Sequence, residues 1–264
     1  KKIIIYVSLN NLFSIKSFNI KEVLLENTNF EIDTKNSNFF VKLLNNNFLN
    51  ANLKIKNSNI FFRNLENEVL FINKINNLKY YYDSKKLKNI LYSKNEIFNI
   101  PFSLEAINYE EEKKLYTKLD FDFAKLQIEN IFNYEEDTKS GSASLLYNKN
   151  KSLINYKANE SFLEFKYSNE LDNKKFLYTG KLNFKPFYSV FEGTTDALDV
   201  SYFFVTNAII SELLKTEIFN NKNIDFELNI NSNKIENNRS FTNLFLKFKI
   251  KDGLIDIDDT KVEW

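Results

Sequence analysis

The stretch Phe248-Lys-Ile-Lys-Asp-Gly-Leu-Ile-Asp-Ile-Asp258 decides the fold, because its pattern occurs three times in the chain. Two further segments align with it without a gap, Val23-Leu-Leu-Glu-Asn-Thr-Asn-Phe-Glu-Ile-Asp33 and Leu53-Lys-Ile-Lys-Asn-Ser-Asn-Ile-Phe-Phe-Arg63. Each segment has two apolar residues at alternate positions, then a turn pair, then two more alternate apolar residues. The chain therefore repeats a β unit with one apolar face.

Two local structures explain why the apolar residues change parity across the turn pair. A bulge within one longer strand shifts the parity by one residue. A two-residue hairpin does the same, and it is the structure that we expect in all three segments. Asp252-Gly253 is a strong hairpin signal because both central residues of such a turn need a positive φ. The hairpins would pair Leu25 with Phe30, Val23 with Ile32, Ile55 with Ile60, and Ile250 with Ile255.

Alternation of apolar and polar residues continues along most of the chain, which is typical of antiparallel strands with one solvated face. Leu115, Leu119, Phe121 and Phe123 keep one parity, for example, and turn residues between such runs indicate a meander. Residues 199–217 instead carry apolar side chains at helical spacing, which predicts a helix. Residues 84–92 are predicted to be a short helix or a loop.

The composition excludes several classes of function. The 264 residues carry a net charge of +1, and arginine occurs only at Arg63 and Arg239, so nucleic-acid binding has little electrostatic basis. Cysteine and histidine are absent, which removes thiol chemistry, the usual general base and the commonest transition-metal ligand. The four glycines form no phosphate loop or nucleophile elbow. We therefore expect no enzyme activity, no metal and no cofactor.

The chain contains no methionine, so we expect it to be a segment of a longer protein. No run approaches the roughly 18 consecutive apolar residues of a membrane-spanning helix, so any anchor of the parent protein would lie outside this sequence. The acidic clusters Glu110-Glu-Glu112 and Asp256-Ile-Asp-Asp259 are expected to be solvated turns.

The width of the sheet limits how the apolar face can be covered. About fifteen strands at about 4.8 Å each would make a sheet about 70 Å wide, and open sheets of that size curl, split or close. One solution is a curled sheet whose apolar inside is partly filled by acyl chains. The other is a sandwich or closed barrel filled by its own side chains.

Four segments carry a family resemblance: Leu53-Lys-Ile-Lys-Asn-Ser-Asn-Ile-Phe-Phe62, Glu68-Val-Leu-Phe-Ile-Asn-Lys-Ile75, Lys215-Thr-Glu-Ile-Phe-Asn-Asn221 and Lys249-Ile-Lys-Asp-Gly-Leu-Ile-Asp-Ile-Asp-Asp-Thr260. They resemble the AsmA-like proteins of Gram-negative cell envelopes, the group that includes YhdP and TamB. The similarity spans most of the chain and rests on a strand pattern, not on a catalytic signature. It implies a taco-like β-groove with a hydrophobic interior, in the periplasmic part of a protein anchored in the inner membrane. It further implies phospholipid transport towards the outer membrane and a part in outer-membrane biogenesis.

We therefore predict a mainly β fold, a large curled antiparallel sheet of repeated hairpins with one or two short helices, in one elongated domain over residues 1–264. The predicted function is non-enzymatic lipid binding, as a bridge-like segment that carries phospholipid acyl chains between the two membranes. The alternatives are a purely structural envelope domain with a self-filled core and, from the terminal Val262-Glu-Trp264, a fragment of an outer-membrane barrel. The predicted groove-lining residues are Leu25, Phe30, Ile32, Leu53, Ile55, Ile60, Phe62, Leu119, Phe121, Phe123, Phe226, Leu228, Leu246, Phe248, Ile250, Ile255 and Ile257.

Overall fold

A computed structural model of the chain describes residues 1–8, 20–32, 52–63, 67–109, 111–133, 138–147, 150–159, 161–171, 174–184, 187–198, 216, 218, 221–222, 225–236 and 240–263. Strands account for 80% of the described residues and helix for about 2%. The strands belong to one large, mostly antiparallel sheet that is not closed, so the predicted mainly β fold is confirmed.

Eighteen strands lie in the described part of the chain. They are β1 (Lys2–Val7), β2 (Ile20–Glu26), β3 (Asn29–Ile32), β4 (Asn52–Arg63), β5 (Val69–Asp83), β6 (Lys88–Ile97), β7 (Ile100–Tyr109), β8 (Lys114–Phe121), β9 (Leu126–Asn133), β10 (Lys139–Tyr147), β11 (Asn150–Ala158), β12 (Phe162–Leu171), β13 (Lys174–Phe184), β14 (Phe187–Thr195), β15 (Asp225–Lys234), β16 (Thr242–Lys251), β17 (Leu254–Asp256) and β18 (Lys261–Glu263). A short 3-10 helix at Asp122–Ala124 follows β8.

The chain divides into two compact units, which are described separately. Unit 1 comprises Lys1–Asp122 and Ile131–Glu135, and unit 2 comprises Phe123–Asn130 and Glu136–Trp264. In unit 1, β4 to β8 form an antiparallel meander. The strands β2 and β3 both run parallel to β4, and β1 is antiparallel to β2.

The predicted hairpins at Asn27-Thr28 and Asn57-Ser58 are wrong. Both strands continue through the turn pair: β2 pairs with Asn52–Lys56 and β3 with Asn59–Phe62 of the same strand β4. Leu25 therefore lies beside Ile55, and Phe30 lies beside Ile60. Each turn pair is a bulge, which is the alternative structure that shifts the parity of the apolar residues.

Hydrogen bonds and backbone angles show how this bulge is built. Asn27 and Asn57 have φ values of 53° and 47°, in the left-handed region that Asn tolerates. The buried Ser58 hydroxyl accepts from the Thr28 N–H at 3.1 Å and donates to the Lys56 carbonyl at 2.8 Å. On β5, Asn76 is the residue at which the register with β6 shifts. Three neighbouring strands therefore take up an extra residue at the same level.

The predicted hairpin at Asp252-Gly253 is confirmed. Asp252 and Gly253 have φ values of 53° and 75°, and Ile250 of β16 lies opposite Ile255 of β17. A second two-residue hairpin joins β6 to β7 through Phe98-Asn99, with φ values of 51° and 61°. The Phe98 ring lies 6.0 Å from the Phe71 ring, a contact that helps to hold this aromatic residue in an uncommon conformation.

Unit 2 combines a meander with one parallel pair. The strands β9 to β14 are antiparallel neighbours, β15 runs parallel to β14, and β16 is antiparallel to β15. Both β17 and β18 pair with β16. Parallel neighbours need a long crossover, so the meander predicted from the sequence is interrupted here and at β4.

Three further predictions about local structure have different outcomes. Residues 84–87 form a turn and residues 88–92 begin β6, so the predicted loop is confirmed only for the first four residues and the alternative helix is wrong. Phe123 lies in the 3-10 helix, so its predicted strand position is wrong. The helix predicted for residues 199–217 lies outside the described residues, apart from residue 216.

Replacing Ser58 with Ala should lower the free energy of unfolding by about 1–3 kcal/mol, because the Thr28 N–H would lose its acceptor inside the sheet. Urea denaturation followed by circular dichroism measures this change. Ser103→Ala, at an exposed position of β7, is the matched control and should change stability little. Equal effects of the two substitutions would contradict the role of Ser58.

Replacing Gly180 with Ala should destabilise unit 2 by about 1–3 kcal/mol through overpacking. A Cβ at this position would meet Phe165 Cζ at 2.5 Å and Phe191 Cδ1 at 2.8 Å. The cost should fall clearly when Phe165→Leu removes the first ring, which a double-mutant cycle of thermal melts can measure. Additive effects would show that the ring over Gly180 is not the cause.

Candidate functional site

The candidate site is the apolar face of unit 1, defined by the residues that share the face of Ile55. Strand register places Leu25, Ile55, Leu78, Ser93, Leu104 and Leu119 in one row across six strands. Neighbouring rows add Leu53, Tyr80, Leu91, Ala106 and Thr117 on one side, and Ser58, Ile75, Asn95 and Phe102 on the other. No residue in these three rows is charged.

Burial differs from strand to strand on this face. The small residues Ser58, Ser93 and Ala106 are buried, because their larger neighbours rise above them. The large side chains divide into two groups: Ile55, Ile75 and Tyr80 of β4 and β5 are buried, whereas Leu91, Leu104 and Leu119 of β6 to β8 are half-buried. A face covered by a second layer would bury its large apolar residues most completely. Within the described part of unit 1, the leucines of β6 to β8 therefore stay partly accessible, while the apolar residues of β4 and β5 are closely packed.

The apolar face of unit 2 is defined by the residues that share the face of Leu228, and it carries many aromatic rings. One uncharged row crosses seven strands: Gly141, Tyr156, Phe165, Gly180, Phe191, Leu228 and Phe248. Ring centroids lie 5.5 Å apart for Phe165 and Phe191, and 5.1 Å apart for Phe191 and Phe226. Glycine at position 180 makes room for the adjoining rings.

One end of this second face is filled by the protein itself. Leu198, Ile230 and Leu244 form a buried cluster, against which Leu228 and Leu246 pack. Leu198 is fixed there because its N–H donates to the Lys234 carbonyl at 3.0 Å and its carbonyl accepts from the Glu236 N–H at 2.9 Å. Part of unit 2 therefore has an ordinary closed core.

The opposite, polar face of each unit carries charged side chains that pair across strands. Lys74 lies 2.6 Å from Glu96 in unit 1, and Lys181 lies 3.0 Å from Glu164 in unit 2. Each of these pairs joins residues that are directly opposite in register. Such exposed pairs contribute little to stability, but they keep this face hydrated and specify which side of the sheet meets water.

Shifted pKa values occur on both faces: burial raises the pKa values of Tyr156 and Tyr178 on the apolar face of unit 2, and further shifted groups lie on the polar face. The bond that Tyr92 donates to Glu105 at 2.7 Å, together with burial, raises the pKa of Tyr92 to about 12. The bond that Asn229 donates lowers the pKa of the Glu227 carboxyl. Burial raises the pKa of Tyr188, which donates to Glu227 at 3.0 Å. These groups hydrogen-bond to one another across the sheet, as structural pairs do.

Two open depressions in unit 2 lie on the polar face. The larger, of about 650 Å³, is lined by charged residues such as Lys157, Glu164 and Lys181 and also by Tyr156 and Phe165. The other, of about 460 Å³, contains Glu192, Glu227 and Lys247. Charged groups from several strands surround both depressions, so acyl chains would find fewer uncharged neighbours there than in the rows around Ile55.

Two buried asparagines on the apolar face of unit 1 have no hydrogen-bond partner. Asn89 and Asn108 lie directly opposite each other on β6 and β7, and they are 2% and 4% exposed. The amide nitrogen and oxygen of both side chains are unpartnered. Sequence analysis missed them because asparagine is so common in this chain, although the parity of Asn89, Ser93 and Asn95 could have revealed polar residues on this face of β6.

The structure brings the predicted groove-lining residues together in two groups. In unit 1, rows contain Leu25 with Ile55 and Leu119, Phe30 with Ile60, and Ile32 with Phe62. In unit 2, rows contain Phe226 with Ile250 and Ile255, and Leu228 with Phe248. Ile55 and Ile250 are buried, Ile255 and Ile257 are exposed, and the other predicted residues are half-buried, namely Leu25, Phe30, Ile32, Leu53, Ile60, Phe62, Leu119, Phe121, Phe123, Phe226, Leu228, Leu246 and Phe248.

The described residues contain no group of three or more acidic side chains arranged to hold a metal ion. Among the same residues, no helix has the length and apolar character needed to cross a membrane. The chain matches no family model, no curated protein and no solved structure. The resemblance to the AsmA-like proteins therefore stays a prediction.

Replacing either Asn89 or Asn108 with Leu should raise the free energy of unfolding by about 1 kcal/mol, because each change removes two buried polar atoms that have no partner. Chemical denaturation of the two single variants measures the effect. Asn77→Leu, at an exposed position of β5, is the control. If instead the two amides bonded to each other, each single variant would be destabilised by the partner left behind.

Proposed function

We propose that this chain is a non-enzymatic lipid-binding segment that carries the acyl chains of phospholipids along the apolar face of its sheet. The observation that carries the proposal is the uncharged face of unit 1, on which large side chains such as Leu91, Leu104 and Leu119 remain half-buried. Contiguous accessible apolar surface on a protein is a place for a partner, a membrane or a ligand. A row across six strands offers such a surface to a long, flexible hydrocarbon.

The energetics favour acyl chains over a polar ligand. Each CH₂ group that leaves water for this face gains about 0.8 kcal/mol when it is fully buried. A phosphate would find no cation in the three rows around Ile55, so an ionised head group loses its hydration there without a compensating partner. The lipid would therefore lie with its chains on the apolar face and its head group in solvent.

The polar face supports the same orientation. Cross-strand pairs such as Lys74 with Glu96 and Tyr92 with Glu105 keep it hydrated. A sheet with one hydrated and one accessible apolar face must cover the apolar side with something else. In the proposed function, acyl chains provide part of that cover.

The proposed location is the periplasm of a Gram-negative bacterium, within a parent protein anchored in the inner membrane. The proposed partners are phospholipids and, through the parent chain, the inner and outer membranes. This part of the proposal is supported by the sequence resemblance to AsmA-like proteins and by the open β-sheet that such a resemblance implies. The proposal assigns no catalytic role, because the shifted pKa values have structural causes: hydrogen bonding between neighbours at Tyr92 and Glu227, and burial at Tyr156 and Tyr178.

A second candidate function is a purely structural envelope domain. The buried cluster of Leu198, Ile230 and Leu244 favours it, because this end of unit 2 is filled by the protein's own side chains. The two candidates differ over the remaining apolar surface, which is a binding surface in the first and only incompletely packed core in the second.

Photo-crosslinking distinguishes these functions. A benzophenone amino acid at Phe121, Phe226 or Ile255 should form covalent lipid adducts when the chain is incubated with phospholipid vesicles, because these positions lie on the apolar faces. Mass spectrometry of the irradiated chain detects the adducts. The same amino acid at Lys247 or Lys118, both on the polar face, should give few adducts. Equal labelling at all positions, or labelling at none, would contradict lipid binding by the apolar faces.

A further inference from the structure

We propose that Asn89 and Asn108 form a polar binding site within the lipid-binding face. This site binds the neutral oxygen atoms of an acyl lipid, namely its ester carbonyl or a glycerol hydroxyl. This inference rests on the proposed function and makes it more specific. It concerns the part of the lipid between the acyl chains and the ionised head group.

The unpartnered amides are the observation that points to a ligand. Each side chain has a donor and an acceptor, and all four atoms lack a partner although both residues are almost fully buried. Nearly all buried polar groups in proteins are hydrogen-bonded, and each exception calls for a physical cause. A third buried amide on this face, that of Asn95, donates to Ser93 at 2.7 Å. Single buried atoms of other residues, such as Asn73 Oδ1 on the same face, also lack a partner, but positions 89 and 108 bring four such atoms together on directly opposite residues.

The surroundings of the pair decide what kind of group it would bind. Strand register places Tyr82 and Leu115 in the same row, and Leu91 and Ala106 in the adjoining row. All four neighbours are uncharged, so an ion would lack a counter-charge while a neutral oxygen would not need one. Hydroxyl and ester oxygens match the mixed donors and acceptors of two primary amides.

Hydrocarbon can lie beside the same site. Every second residue of β6 lies on this face, so from Asn89 the face continues through Leu91, Ser93 and Asn95 to Ile97. The eight residue steps from Asn89 to Ile97 span about 26 Å at about 3.3 Å per residue. An acyl chain that extends from the polar binding site along this strand would contact the half-buried leucines of β6 and β7. The amides themselves are closed to solvent, so the lipid must displace neighbouring side chains to reach them.

A competition assay tests the inference. The native chain and the variant Asn89→Leu/Asn108→Leu are loaded with a pyrene-labelled hydrocarbon. It is then displaced by 1-palmitoylglycerol or by an alkane of equal chain length. The native chain should prefer the ester, and the double variant should lose about ten-fold of that preference while it binds the alkane as before. Palmitoyl lysophosphatidylglycerol should show the same loss, because its phosphate stays in solvent. Asn77→Leu is the matched control on the polar face.

Each outcome has a definite meaning. An unchanged preference in a folded double variant overturns the inference and leaves the proposed function intact. A loss seen only with the phosphate-bearing lipid overturns it as well. If the native chain binds neither the ester nor the alkane, the proposed function itself fails. Should the leucine variant not fold, Asn89→Val/Asn108→Val supplies the same comparison with smaller, strand-forming side chains that carry no polar group.

Discussion

The architecture depends on keeping one face of the sheet apolar across many strands, although side chains change face whenever a strand gains one residue. In unit 1 this requirement is met by aligning the extra residues. Asn27, Asn57 and Asn76 lie at the same level of neighbouring strands, so the apolar residues before and after them stay on one side. The buried Ser58 hydroxyl fixes the position of the extra residues along the strands, because it bonds to the Thr28 N–H of one chain segment and to the Lys56 carbonyl of the neighbouring strand. Without this alignment, the rows that contain Ile55 and Ile60 would lie on opposite faces.

The two faces of the sheet then follow different chemical rules. On the polar face, opposite charges face each other across strands, as Lys74 and Glu96 do. On the apolar face, small and large residues alternate between strands, and Gly180 lies beneath the ring of Phe165. Some large side chains are buried, among them Ile75 and Ile250 and the cluster around Leu198, but others such as Leu91, Leu104 and Leu119 are left half-buried. This combination of a hydrated face and an incompletely covered apolar face is the physical basis of the proposed lipid binding.

Much of this could be predicted from the sequence, because period-two alternation assigns both the strands and their apolar face. The turn pairs were harder to interpret. Asp252-Gly253 allows a positive φ at both positions and forms a hairpin, whereas in Asn27-Thr28 and Asn57-Ser58 only the asparagine adopts one, which produces a bulge. Phe98-Asn99 forms a hairpin with no sequence signal, since phenylalanine is not a turn residue and the Phe71 contact supports it only in the folded chain. The unpartnered amides of Asn89 and Asn108 depend on burial between strands, which one sequence with abundant asparagine does not reveal.

Native mass spectrometry of the chain, purified from the periplasm of a Gram-negative host, tests the central claim most directly. The account predicts added masses that correspond to bound phospholipid. They should be lost from Leu104→Glu, which places a charge on the apolar face, and kept by Ser103→Glu, which changes the adjoining exposed position of β7. Circular dichroism confirms that both variants are folded. A folded native chain that carries no lipid, or equal loss from both variants, would contradict lipid binding by this face.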